Sequence, residues 1–400
     1  MRFSKTSTSG GLECRMQKRT TKVCNAPASI SFSIHVKVVV KFENLKIKIM
    51  ETRTTNTATL FIGIDIHKRS WHIHTATELF WGKDVSMPPK PEALKKYVDK
   101  NFPDHEVHTA YEAGCCGYSA HRTFSGYGWK SLVVNPADIS RTGNMQYQKT
   151  DKLDAHLICR ELRDGRLTSI NVPEVEREQF RGLFRRRLDL TKDFRQVKSR
   201  LKAYLLYMGI EVPKEFDNAN WNKKFRAWMT ALTFEYPTAK SNLDILLNQF
   251  EFLNKQIQDV GTELRRYAKV NYKKQYMLLR SVPGIGPLVA CGILAELGDI
   301  SRFNQKELVG YVGLMPGMRQ SGDSGIRSRG ISPRGNRYMR SYFVEAAWIA
   351  VRRDPVMQAY WRTHPDKEPK GILIKIARKL LCRTLGVIKS GIPYQDGVVA

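Results

Sequence analysis

Two stretches of apolar residues repeat in alternating steps of three and four, a pattern that only a helix can bury on one face. Leu190, Phe194, Val197, Leu201, Tyr204 and Met208 form the first, and Leu243, Leu246, Phe250, Leu253, Ile257, Val260, Leu264 and Tyr267 form the second. The spacing predicts two long helices carrying an a/d seam. Between them, residues 209–240 hold Pro213, Pro237 and the aromatic run EFDNANWNKKFRAWMTALTFEY, which predicts the irregular tip of an antiparallel pair. Such a pair serves as a coiled-coil stalk for oligomerisation, or equally packs as a helical hairpin on its own chain. Residues 171–275 are assigned to it.

Upstream the period changes. LFIGIDI at 60–66 is apolar and β-branched, WHIHTATEL follows with alternating faces, and a third strand is expected near Phe80 to Val85. PEALKKYVDKNF from Pro91 reads as a helix with proline in its first turn, VHTAYE at 107–112 as a strand, Gly117 to Ser125 as a helix, KSLVVN at 130–135 as a strand, and DKLDAHLICREL from Asp151 as a helix. Three strands, then helix, strand, helix, strand, helix is the order of a ribonuclease-H-like α/β domain, placed at 58–170.

Charge divides the chain the same way. The whole carries 66 Lys and Arg against 38 Asp and Glu, a net +28, which favours polyanionic partners. Residues 1–57 contribute +8, 58–170 only +2, 171–275 +8 and 276–400 +10. The carboxylates gathered in 58–170 would repel phosphates and need another purpose; metal binding is one. Residues 1–57 are expected to lie outside the folded unit, as a basic arm or an extension from a misplaced start codon. Seven scattered cysteines without a CxxC pair suggest neither a disulfide framework nor a zinc site and fit a reducing cytosol. No stretch reaches the ~18 to 20 uncharged apolar residues of a membrane helix, because Gly371 to Ile388 carries Lys375, Arg378, Lys379 and Arg383.

Four acids stand out. Asp65 lies in GIDIHK on the first strand, Glu112 ends the fourth strand in YEAGCCGY, and Asp151 and Asp154 occupy one face of the last helix in TDKLDAH. Singly, each reads as a turn or cap residue; together, at neighbouring strand ends and a helix beside them, they can converge on two Mg²⁺ ions ~3.5 to 4 Å apart, the arrangement used in phosphoryl transfer. The doublet Cys115-Cys116 after Glu112 is read as packing, since sulfur is a poor Mg²⁺ ligand.

Further on, SVPGIGPL places Gly284 and Gly286 in a turn between two apolar helical stretches, as in a helix-hairpin-helix, where backbone N–H groups meet a phosphate. Residues 319–340 then set Arg319, Arg327, Arg329, Arg334, Arg337 and Arg340 against the single acid Asp323, a phosphate-binding surface whose Gly- and Ser-rich first half reads as loop and which turns helical from Asn336. Ser321 stands in that loop before Gly322. By residue type alone it is a turn serine, with Ser324, Ser328 and Ser332 as equal candidates for a nucleophile.

In combination GIDIHK, YEAGCCGY, TDKLDAH, VPGIGP, YVGLMPGMRQSG and GISPRGNRYMR resemble the insertion-sequence one-ten family of DEDD transposases over about residues 58–390. The resemblance implies a RuvC-like catalytic domain carrying Asp65, Glu112, Asp151 and Asp154, a coiled-coil stalk, and a mostly helical C-terminal transposase domain at 276–400 with Ser321 as nucleophile. It further implies Mg²⁺, donor and target DNA, a structured guide RNA that supplies sequence specificity, and a tetramer in which the acids of one subunit meet the serine of another. The alternative from the same acids is a metal-dependent nuclease or junction resolvase with water as nucleophile. Residues 1–57 have no counterpart in the family. A cytoplasmic protein acting on the nucleoid is expected.

Overall fold

The structure, a computed structural model, describes residues 58–139, 151–218, 221–319, 327–365 and 368–395, with the side chains of residues 151, 152, 318, 319 and 327–329 not described. The basic extension expected at 1–57 lies outside the described residues, as does Ser321. From Ala58 to the C-terminus the chain clusters as one unit.

It opens on β1 (Thr59–Ile66), β2 (Trp71–Thr77) and β3 (Trp81–Met87), then α1 (Pro91–Asn101), β4 (Glu106–Glu112), α2 (Ser119–Gly126), β5 (Lys130–Val134) and α3 (Asp151–Arg163). The sheet runs β3-β2-β1-β4-β5, with β1–β2 and β2–β3 antiparallel and β1–β4 and β4–β5 parallel. This mixed sheet is compatible with a ribonuclease-H-like fold.

Period-two alternation decides which face each side chain joins. Leu60, Ile62 and Ile64 of β1 pack with Leu94 and Val98 of α1 and Phe124 of α2. Phe61 turns to the other face, where Ala110, Val134, Leu157, Ile158 and Leu162 form a second cluster under α3.

Gly63 lies on that same face and admits α3 to backbone contact. A Cβ built on it would stand 2.2 Å from the Ala155 carbonyl and 2.3 Å from the Cys159 amide nitrogen. No residue larger than glycine fits there.

Among the described residues the regular structure of the remainder is helical apart from one hairpin: α4 (Val175–Tyr207), α5 (Lys223–Ala231), α6 (Pro237–Asn271), α7 (Lys273–Ser281), α8 (Pro287–Glu296), α9 (Gln305–Val312), β6 (Pro316–Arg319), β7 (Arg327–Ile331), α10 (Arg337–Arg353), α11 (Pro355–Arg362) and α12 (Pro369–Ser390). The two longest helices, α4 and α6, run antiparallel against each other. The Tyr204 hydroxyl donates to the Ala239 carbonyl (2.7 Å) at one end, and the Tyr272 hydroxyl to Glu176 Oε2 (2.6 Å) at the other.

Leu190, Val197, Leu201, Leu243, Phe250 and Leu264 are buried as the heptad spacing predicts, and Leu205, Leu247 and Ala268 join them. Met208 instead falls past the end of α4 and is exposed. The expected irregular tip contains the helix α5, whose Phe225 and Met229 close over the end of the α4/α6 seam. Sequence inspection missed it because four aromatic residues in 14 positions obscured the helical period.

A larger core joins α7, α8, α9, α10 and α12, with Phe184 of α4 inserted into it. The segment expected to be loop after Arg319 contains β7, which pairs with β6 in the register Pro316↔Ile331, Met318↔Ser328, Arg319↔Arg327. Gly and Ser content suggested a loop, but the alternation R-S-R-G-I also suits a strand that has a partner.

The helix α9 begins with a capping box: Asn304 Oδ1 accepts from the Glu307 amide (2.9 Å) and Glu307 Oε2 accepts from the Asn304 amide (3.0 Å). Replacing Asn304 with Ala is expected to cost about 1 kcal/mol, read as a lower denaturant midpoint at unchanged slope. Among the described residues no helix is long and apolar enough to cross a membrane.

Candidate active site and adjoining cleft

Asp65 follows Gly63 by two residues on β1 and therefore lies on the face covered by α3; Glu112 follows Ala110 by two on β4 and takes the same face. Both acids come one residue after the register pair Ile64↔Tyr111, so they sit side by side where the parallel strands end. That end of an open α/β sheet is where ligands enter. The Asp65 Oδ2 atom is shut off from solvent, and His67 Nδ1 lies 3.5 Å from Oδ1.

The direction of α3 brings the other two acids to this end. The Cys159 thiol donates to the Phe61 carbonyl (3.4 Å), and Ala155 meets Gly63. As β1 advances from 61 to 65, α3 therefore recedes from 159 towards 151. Two strand residues and four helix residues each span about 6 to 7 Å, which sets the first turn of α3 opposite Asp65.

Asp154 is half-buried in that turn. Asp151 is the first residue of α3, and its side chain lies outside the described ones. Among the described residues no three His, Cys, Asp or Glu side chains gather closely enough to hold a metal ion. Asp65, Glu112 and Asp154 thus do not by themselves reproduce the fourfold convergence expected from the sequence. The donor set nonetheless has the right chemistry for a hard divalent cation, being entirely carboxylate.

Of the cysteine doublet, Cys116 packs beside this end of the sheet and burial raises its thiol pKa, whereas Cys115 is exposed. The packing role expected for both holds for Cys116 alone.

A cleft of about 1010 Å³ adjoins the strand ends. Val134 is the register partner of Glu112, and the next residue, Asn135, lines the cleft with Asp138 and Thr168. Arg185, Tyr311, Arg334, Gly335, Asn336, Arg337 and Tyr338 line it from the helical side. Two of the six arginines singled out by sequence, Arg334 and Arg337, thus border a cavity next to the acids.

Arg337 also donates to the Tyr338 hydroxyl (3.4 Å) beside the cleft, whereas Arg340 is engaged with the backbone. The Arg340 guanidinium donates to the Arg334 carbonyl (2.8 Å) and reaches the Val312 carbonyl (3.5 Å), a positioning task within the protein rather than a phosphate contact. Arg319, Arg327 and Arg329 stand on β6 and β7, with their side chains outside the described ones. Gly284 has φ +92°, and the place of a Cβ is filled by α10, 2.6 Å from the Ala346 carbonyl. Packing therefore accounts for that glycine without a phosphate. Gly286, at the N-cap of α8, has open space around it.

A carboxylate that sequence inspection missed holds the arginine turn in place. Glu296, at the end of α8, is 4% exposed and receives two hydrogen bonds from Arg185 (Nε 2.6 Å, Nη2 2.8 Å) and one from Asn336 Nδ2 (2.9 Å). The bidentate contact raises the Arg185 pKa further, chiefly through the Glu296 hydrogen bond. Asn336 in turn caps α10 by accepting from the Tyr338 and Met339 amides (both 3.1 Å). Its own amide donates to the Tyr311 carbonyl (2.7 Å). One signal was available: a lone Glu in the apolar stretch VACGILAEL requires a partner if that helix is buried. Its partner was not legible, because Arg185 is one of three arginines in FRRRL.

Similarity to known proteins gives the class of protein that carries these strand-end carboxylates and the adjoining cleft. Residues 62–209 match the DEDD transposase model of the IS110 type, and residues 276–362 match the model described as Transposase IS116/IS110/IS902 family. The Sinorhizobium fredii proteins y4qE and y4rJ are each 28% identical, covering 72% of this chain and 71% and 78% of their own lengths. The transposase for insertion sequence element IS1111A of Coxiella burnetii is 26% identical over 73% of this chain and 78% of its own. The chain is a transposase, an enzyme that cleaves and rejoins DNA. It belongs to the IS110 family, the insertion-sequence one-ten family that its motifs resemble. Its DEDD domain implies a divalent metal, usually Mg²⁺.

Proposed function

We propose that the protein is an RNA-guided serine recombinase of an insertion sequence, in which Asp65, Glu112, Asp151 and Asp154 hold Mg²⁺ and Ser321 attacks a DNA phosphodiester. The observation that carries this reading is the placement of Asp65 and Glu112 side by side at parallel strand ends, with the first turn of α3 opposite and the arginine-lined cleft adjoining.

A divalent cation bound there supplies Lewis-acid stabilisation of phosphate charge and lowers the pKa of a bound hydroxyl. The chain's own residues do the rest. Arg334 and Arg337 hold a backbone phosphate in the cleft, and the Glu296 network keeps the turn between them rigid. Attack by Ser321 forms an O–P bond as a DNA sugar oxygen departs with the proton. The phosphoserine ester is close in energy to the diester it replaces, so rejoining needs no ATP. With the guide RNA supplying base reading, the basic regions at 171–275 and 276–400 contact mainly backbone and RNA shape. The α4/α6 pair acts as the stalk through which subunits assemble, as a tetramer, bringing the serine of one to the acids of another.

Water could serve as nucleophile on the same acids, making the protein a nuclease or junction resolvase. A denaturing gel separates the two. With cognate DNA and guide RNA in Mg²⁺, the serine reading predicts a covalent protein–DNA species that disappears in Ser321→Ala; cut DNA with no adduct would establish the hydrolytic reading instead, and recombination by Ser321→Ala would overturn the serine as nucleophile.

The cleft yields a second expectation. Arg337→Ala should flatten the slope of log affinity against log salt by about 0.9, one phosphate contact on duplex DNA, while weakening binding to all sequences equally. An unchanged slope in a salt titration would remove Arg337 from the interface.

A further inference from the structure

On the solvent side of α10, away from the cleft, Glu345, Trp348, Ile349 and Arg352 follow the i, i+3, i+4, i+7 spacing of one helical stripe. The opposite face, Met339, Phe343, Ala346, Ala347 and Ala350, already supplies what α10 contributes to the core. Trp348 is 39% exposed and Ile349 42%, and the four side chains line a shallow hollow of about 410 Å³. Trp361 of α11 stands beside Trp348 with ring centroids 5.6 Å apart and planes tilted by 52°, extending the aromatic surface. Arg353 and Arg362 are exposed on the same two helices.

We propose that this stripe is a platform on which an unpaired base of a single-stranded nucleic acid stacks, a contact separate from the arginine cleft. The chemistry of the hollow meets each part of a nucleotide. The indole face takes the base, Arg352 one turn on takes a phosphate, and the Glu345 carboxylate one turn back accepts from an exocyclic amine. Its size argues against a protein partner. A specific protein interface covers about 800 Å² on each side, whereas here two exposed apolar side chains are bounded by charges, and a flat base is the ligand that so small a surface can grip. The strand is DNA, the nucleic acid on which a transposase acts.

The proposal rests on the reading of the protein as a nucleic-acid enzyme, and the test keeps the two apart. Full-length protein and its Trp348→Ala and Trp348→Phe variants are titrated by fluorescence anisotropy against four probes: a single-stranded DNA, the RNA of the same sequence, a single-stranded copy with abasic sugars, and the duplex. Trp348→Ala is expected to weaken binding of the single-stranded DNA about tenfold, with Trp348→Phe largely retaining it and with duplex and abasic binding unchanged. A loss confined to the RNA overturns the assignment to DNA. Equal binding of both single strands by wild type and Trp348→Ala overturns the platform, as does a uniform loss on all four probes or a change in oligomeric state on sedimentation. Wild type that binds none of the probes overturns the functional reading as well.

Discussion

Asp65→Asn is expected to lower strand exchange about a thousandfold or more while the protein remains folded. The side chain stands at the end of β1 with its Oδ2 atom shut off from solvent, so an amide of the same shape keeps the packing and loses only the charge. Metal-assisted stabilisation of phosphate charge is worth several kcal/mol, and about 4 kcal/mol corresponds to a thousandfold in rate. The near-neutral region holding Asp65 contributes little to the salt-sensitive grip on nucleic acid, so binding should persist. Recombination of cognate DNA, assayed beside thermal unfolding, checks this; activity within tenfold of wild type would remove Asp65 from the chemistry.

The second large effect is structural and acts on the same site. Gly63→Ala should destabilise the protein by about 3 kcal/mol or more, because the added Cβ meets helix backbone at 2.2 and 2.3 Å, where no side chain can swing aside. Relief requires α3 to move off β1, carrying Asp154 away from Asp65, so any folded remainder should also lose activity. Gly182→Ala provides the contrast. That glycine lies within α4 with nothing within 4 Å of the built Cβ, and the change should stabilise by about 1 kcal/mol through helix propensity. Chemical denaturation of the two variants reads both signs; destabilisation by Gly182→Ala, or tolerance of Gly63→Ala, would contradict the packing described.

Much of this was legible in the chain because local pattern and tertiary environment agree. The β1 run LFIGIDI alternates between two covered faces, and the sequence order of strands and helices matches the observed sheet. The heptad residues of α4 and α6 face each other for the same reason: burial on one stripe is both what the spacing encodes and what the fold uses. Pattern failed where a partner distant in sequence decides. β7 becomes a strand only because β6 lies beside it, and Gly284 is demanded by α10, more than 60 residues away. Arg340 looked like its neighbours until its bonds to two carbonyls set it apart, and Arg185 became distinct through Glu296. Composition can count charges; it cannot say which are already engaged inside the protein.

The central claim is that the acids at the strand ends hold a divalent cation, and Mn²⁺ binding followed by electron paramagnetic resonance tests it most directly. Wild type, Asp65→Asn and Glu112→Gln, each saturated with the same DNA, share whatever ions the DNA itself binds. The account predicts an additional set of sites in wild type, displaced by Mg²⁺ and absent from both variants. Superimposable isotherms for the three proteins would contradict it.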